Sequence, residues 1–369
     1  MDLVSKRMNE PQSRTGVWSI LPGYFRCVLG VLGCIFLLTA AADNQVLARN
    51  SRRYQAKAIP HALVYADPDL HGNRDTPYAV IVDKARQKIS LYNYRGYWRA
   101  VAKWPCSTGK KTGPKEREGD QKTPEGVYFA VRDVGARFLT DTYGTRAMPL
   151  DYPNWWDRRR QRSGSAIWLH GTNKPLLARD SNGCVVIENP TMDRLARHIR
   201  LNRTPVIIVE QGHLWSVKAA RQMAEKILSA ADQWHQALMY GSYQSFRRCY
   251  APGQAPSMKW WQRWCRQRRK HITDSSFESR MQKRAIYRSD GHCVLLFDHH
   301  LAVNTDSSWV GRRKMYVDVA EDNVFIVGDT YQCVPDDTDD PLFYAWRKLW
   351  QKDQQRCKIT VPKQDADNT

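Results

Sequence analysis

The stretches Ile167-Trp168-Leu169-His170-Gly171-Thr172 and Ser181-Asn182-Gly183-Cys184-Val185-Val186-Ile187 decide how this chain is read. Each is a short apolar run with one reactive side chain at its edge. A histidine closes the first run, and a cysteine in a tight turn precedes the second. Two buried strands lying side by side would bring the pair together. A thiol becomes a thiolate near neutral pH when a base or cation stands beside it, and an imidazole is the usual one. Gly183 permits a sharp turn, so its N–H and that of Cys184 are expected to face a developing oxyanion. Ser181 and Asn182 are expected to shape the turn through their side chains.

Two further elements stand upstream, Cys106-Ser107-Thr108-Gly109-Lys110 and Asp120-Gln121-Lys122-Thr123-Pro124-Glu125-Gly126. With the histidine–glycine pair and the cysteine turn, in this order, they resemble the L,D-transpeptidase (YkuD) catalytic domain across roughly residues 78–210. The resemblance implies a mainly β catalytic domain, a sandwich or barrel, acting on the peptide stems of bacterial peptidoglycan without a cofactor. Cys184 is then the nucleophile and His170 the base, with the backbone carbonyl of Gly171 as third member. A tyrosine from the preceding loop, Tyr152, is the candidate to complete the oxyanion hole. Many members carry an arginine two residues after the cysteine. Val186 stands there in this chain, a departure that bears on substrate contacts rather than on the nucleophile. The implied reaction is acyl transfer through a Cys184 thioester on a tetrapeptide stem. An acceptor amine makes it a transpeptidase and water makes it an L,D-carboxypeptidase. A non-catalytic wall-binding scaffold is the reading from a different class.

The chain has 369 residues and a formal charge of +20, enough for two domains and a leader, in an anionic setting. Lys6, Arg7, Arg14 and Arg26 precede an apolar run over residues 28–42, so residues 1–48 read as a signal peptide or a signal anchor at the inner membrane. Export places the protein in the periplasm or cell envelope and argues against nucleic acid as its partner. Residues 49–76 read as a linker, polar and broken by Pro60, Pro68 and Gly72.

Within 77–210, short strand-like runs alternate with glycine and proline turns, and a helix is expected over 190–201. Residues 132–166 break this pattern with Tyr143, Trp155, Trp156, Arg158, Arg159, Arg160 and Arg162. Either they form a wall or lid of the cleft, with Arg158, Arg160 and Trp156 on stem-peptide carboxylates, or they are a solvated basic loop. From Trp215 onward, Ala219, Met223, Ile227, Ala231, Trp234 and Leu238 recur at helical steps, and four long strand-like segments follow. Helices and then antiparallel strands over 216–335 resemble an α+β NTF2-like cone, a surface for a protein partner or a homodimer. Residues 336–369 read as a polar tail. His292, Cys293, His299 and His300 give no clean pair of metal-ligand spacings, so no metal is expected. The Trp260–Lys270 stretch has a basic, aromatic composition, for which a partly buried helix is the expected state.

Overall fold

The computed structural model describes residues 58–67, 77–272, 278–289, 291–303, 306–320 and 323–331. The expected leader and polar tail lie outside them.

The first lobe holds β1 (Ala58–Pro60), β2 (Leu63–Ala66), β3 (Tyr78–Asp83), β4 (Lys88–Tyr94), β5 (Trp98–Pro105), β6 (Gly126–Phe129), β7 (Val134–Gly135) and β8 (Arg146–Pro149). Helix α1 (Trp155–Arg159), β9 (Trp168–His170), β10 (Val185–Val186), α2 (Asn189–Ala196), β11 (Pro205–Val209) and β12 (Leu214–Ser216) follow. One mixed sheet runs β5-β4-β3-β11-β6, and a second runs β10-β9-β8-β7. Val80, Val82, Ile89 and Leu91 from the first sheet meet Leu169, Val185 and Ile187 around the second, with Met192 and Leu195 of α2 between them. Helix α2 is shorter than the expected 190–201 helix, because the chain leaves it in turns before Leu201.

Strand β3 explains why its sequence reads as an unbroken apolar run. Val80 and Val82 face the core just described, while Ala79 and Ile81 belong to another on the opposite face. A strand covered on both sides has no solvent face to make polar.

The second lobe is α3 (Val217–Tyr240), α4 (Tyr243–Arg248), α5 (Met258–Ile272), β13 (Glu278–Ser289), β14 (His292–Val303), β15 (Asp306–Ala320) and β16 (Asn323–Tyr331). The four strands form an antiparallel sheet extended by β2, in the order β16-β15-β14-β13-β2. Ser216 caps α3 by accepting the Ala219 N–H at 3.1 Å. Trp234 and Leu238 on its buried face join Phe246, Trp260, Trp264, Leu295 and Phe297. The basic, aromatic stretch of α5 therefore resolves by side: Trp260, Trp261 and Trp264 enter the core, while Arg266 and Arg269 stay outside.

One expectation is corrected. The segment expected to be a linker carries structure: β1 pairs with β12, and β2 supplies the fifth strand of the second lobe's sheet. Within the 132–166 stretch, α1 packs on the second lobe. Trp155 stacks on Tyr316 with ring centroids 5.0 Å apart, and Trp156 stacks on His292 at 4.2 Å. A Cβ at Gly328 would fall 2.1 Å from the Trp155 ring, so the indole requires glycine there.

The lobes share a third core, with Ala79, Ile81, Val127, Phe129 and Ile207 from one and Ala285, Tyr287, Val294, Leu296 and Tyr316 from the other. Beside it lies a buried charge cluster. Asp298 of β14 accepts from Arg203 at 2.6 Å and from Arg312 at 2.8 Å, and Lys314 pairs with Asp151 at 2.5 Å. The two guanidinium groups hold the Asp298 carboxyl below the usual carboxylate range despite burial, which acts the other way and is the largest single influence. Replacing Asp298 with alanine strips two buried guanidinium groups of their shared carboxylate, which costs about 3–5 kcal/mol. Urea unfolding of the variant should show that loss. The depressed folded-state ionisation makes this contribution full above the carboxyl's unfolded value, and it fades as pH falls through the folded one. The difference between wild type and Asp298→Ala should therefore shrink in acid.

Candidate active site

The cysteine turn is held by two segments far from it in sequence. Ser107 forms an antiparallel bridge with Val186, through N–H···O bonds of 2.8 and 2.9 Å, and Gly109 lies parallel to Ser181. The Thr123 hydroxyl, fully buried, donates to Gly183 O at 2.9 Å and accepts the Gly109 N–H at 2.8 Å. A Cβ at Gly109 would lie 2.3 Å from Gln121 O, so glycine there lets the two upstream elements close on each other. At Gly183, φ is 132°, a conformation suited to glycine, and a Cβ would press on Lys122 O at 2.9 Å.

The histidine arrives on β9. Strand β10 runs parallel to it, with Val185 opposite Leu169 and Val186 opposite His170, and Ile187 N–H donates to His170 O at 3.0 Å. Strand alternation then sorts the side chains. Leu169 and Val185 point into the core, whereas Trp168, His170 and Val186 share the other face, the one Cys184 continues. His170 is buried, and its Nδ1 lies 2.6 Å from Gly171 O. That contact places the proton on Nδ1 and leaves Nε2 as the basic nitrogen.

Cys184 is half-buried, and its thiol points to Ala166 O at 3.5 Å. Burial pushes the thiol up to about 11, against opposing influences from the Trp168 backbone and the Lys115 charge. Burial also lowers His170, with the Gly171 bond pushing the other way. Both shifts favour the neutral partners, so the resting pair is thiol and imidazole rather than an ion pair.

The Ser181 hydroxyl donates to Cys184 O at 2.7 Å. It also accepts the Gly183 N–H at 3.1 Å. Of the two N–H groups expected to face an oxyanion, that of Gly183 is thus engaged within the turn, while no hydrogen bond among the described residues engages Cys184 N–H. Asn182 is exposed at the tip. Tyr152 is buried in the first lobe's core, packs edge-on against Tyr128, and donates to Ser163 O at 3.0 Å. The Arg160 guanidinium lies 4.6 Å over the Trp156 ring, which stacks on His292. Arg158 bonds back to Pro153 O in its own turn.

Two residues missed by sequence reading stand at the histidine. The Tyr143 ring sits edge-on to His170 at 4.9 Å and against Trp168 at 4.8 Å. Burial, and then the neighbouring Cys184, raise its phenol. Tyr143 was one aromatic among several in its loop, and no local pattern distinguishes it. Asn189, at the start of α2, accepts the Thr145 N–H at 3.1 Å and donates to Asn173 at 2.8 Å. A Cβ at Gly171 or Gly144 would fall 2.1 or 2.0 Å from its Oδ1, so this amide braces the turn after His170.

This site lies inside the segment, residues 77–208, that matches the family model for YkuD, the L,D-transpeptidase catalytic domain. The chain contains an L,D-transpeptidase catalytic domain. It is 25% identical over 126 residues to the L,D-transpeptidase-like protein YafK of Escherichia coli (strain K12). That alignment takes 34% of this chain and 48% of YafK, so the chain spans about half the length of the curated relatives it matches. Among solved structures, Bd1075 of Bdellovibrio bacteriovorus superposes with a TM-score of 0.61 at 22% identity, covering 76% of this chain and 99% of that one. The helical cell shape determining protein Pgp2 of Campylobacter jejuni superposes at 0.56 and 18% identity, covering 73% and 94%. Coverage of this extent carries the likeness of fold past residue 208 into the second lobe.

Two outcomes test this geometry. Alkylation of Cys184 by iodoacetamide, followed by peptide mass spectrometry, should still be accelerating at pH 9, since the resting thiol is protonated; a plateau near pH 7 would contradict the neutral pair. Thr123→Val removes a hydroxyl that serves two buried backbone groups, a loss of about 1–3 kcal/mol in stability. Its unfolding midpoint should fall accordingly, and Cys184 should become more readily alkylated as the turn loosens.

Proposed function

We propose that this protein is a cysteine acyltransferase acting on peptidoglycan tetrapeptide stems through a Cys184 thioester. The observation that carries the reading is the β9–β10 register, which sets Cys184 on the His170 face while Gly171 O holds the imidazole with Nε2 free to accept a proton. His170 takes the thiol proton as Cys184 attacks the carbonyl joining the stem's third residue to its terminal D-residue. Cys184 N–H supports the oxyanion, and the Tyr143 hydroxyl takes the role first expected of Tyr152. The imidazolium then protonates the departing amine, and His170 activates the group that resolves the thioester. Because Gly171 O orients the ring, no carboxylate is required.

Transfer to an amine and hydrolysis by water share every step up to the thioester, so both readings use the same residues. We read the second lobe, three helices on an antiparallel sheet, as an NTF2-like domain offering a surface to a protein partner or a second copy. The setting that fits a stem-peptide substrate is the periplasm or cell envelope, with residues 1–48 as export signal or membrane anchor.

The test incubates the full chain with disaccharide-tetrapeptide and follows products by mass spectrometry, with Cys184→Ala beside it. A cross-linked dimer absent from the control assigns transfer, and tripeptide alone assigns hydrolysis. His170→Gln should lower either rate by about 10²–10⁴-fold. Product formation that survives Cys184→Ala would remove the proposal.

A further inference from the structure

The Cys184 strand brings no cation of its own, since Val186 occupies the position opposite His170. The loop that walls the cysteine turn carries a buried cation. Lys115 is almost wholly buried, and its Nζ donates to Asp120 Oδ1 at 2.7 Å and to Arg117 O at 3.0 Å. An ammonium has three donors, so one remains without an acceptor among the described residues. Asp120 organises the loop around it, accepting the N–H groups of Glu116, Arg117 and Lys122 at 2.8, 3.1 and 3.1 Å.

This loop walls the nucleophile on two sides. Lys122 O abuts Gly183, the residue before the cysteine, and Thr123 ties the next position to Gly183 O. On the other side Ser163 N–H donates to Glu116 O at 3.0 Å, and the Lys115 Cε lies 3.2 Å from where a Gly164 Cβ would stand. Two residues on, Ala166 O receives the Cys184 thiol. Among the described residues, His170 shares the face of Cys184, Tyr143 sits against His170, and Lys115 belongs to this wall; the Lys122 ammonium is directed toward Gly113.

We propose that the buried Lys115–Asp120 pair is a positioning element that sets how readily Cys184 ionises, in place of a charge on the nucleophile's own strand. This rests on Cys184 being the nucleophile. Lys115 does not touch substrate; its charge favours the thiolate, and Asp120 both holds the ammonium and tempers that charge. The two partners therefore act on the thiol with opposite sign, which separates this role from simple support of the loop.

The experiment measures Cys184 alkylation by iodoacetamide from pH 7 to 10 in the full chain, read at the Cys184 peptide. Removing a neighbouring charge moves an ionisation by about one unit or more. Lys115→Met should shift the profile upward and slow alkylation at pH 8 by about tenfold. Lys115→Arg should stay near wild type. Asp120→Asn should shift the profile downward and speed the reaction. Parallel shifts in Lys115→Met and Asp120→Asn, or none in either, would overturn the proposal. If Lys115→Met does not fold, Asp120→Asn decides: faster alkylation supports the pair, and unchanged or slower alkylation refutes it. The readout needs no turnover, so failure to process stem peptides would count against the acyltransferase reading and leave this result standing.

Discussion

The parallel pairing of β9 with β10 is the constraint on which the site depends. The side-chain period of a strand is two, so a slip of one residue would send His170 into the core and bring Leu169 out. Two features pin the register. Leu169, Val185 and Ile187 need the interior, and Ile187 N–H closes onto His170 O. The cysteine turn is then locked from outside by Ser107, Gly109 and Thr123. Segments separated by many tens of residues converge on one backbone turn, and its hydrogen bonds leave little freedom in where the thiol sits.

Burial does two things at this site. It rigidifies the histidine, whose Nδ1 is committed to Gly171 O, and it disfavours charge on both reacting groups. In the proposed acyl transfer such a pair would ionise only as the thiol attacks, which directs stabilisation at the transition state rather than at a resting thiolate. Tyr143 contacts the imidazole itself, while Asn189 braces the glycine that follows it.

The two lobes are joined by a common core and not by a tether. One face of the β3-centred sheet lies against residues of β13, β14 and β15, and β2 crosses to the second lobe's sheet before the catalytic strands begin. Asp298, between Arg203 of the first lobe and Arg312 of the second, adds a buried charge cluster across the joint. The tryptophans of α1, which by composition suit a ligand as well as a core, are used in this joint.

The sequence by itself determined the parts whose cause is local. Ser181-Asn182-Gly183-Cys184 reads as a turn because Gly183 needs its backbone freedom and Ser181 its hydroxyl. The α3 periodicity reads as a helix because one face must be buried, and the long runs after residue 278 read as strands for the same reason. Tertiary structure decided what depends on a neighbour distant in the chain. Tyr143 rather than Tyr152 meets His170, Trp156 meets His292, the segment at 58–66 is drawn into two sheets, and Lys115 is buried against Gly164. An aromatic ring or a lysine carries no local mark of its partner. Which surface it covers is settled only when the strands have paired and the cores have closed.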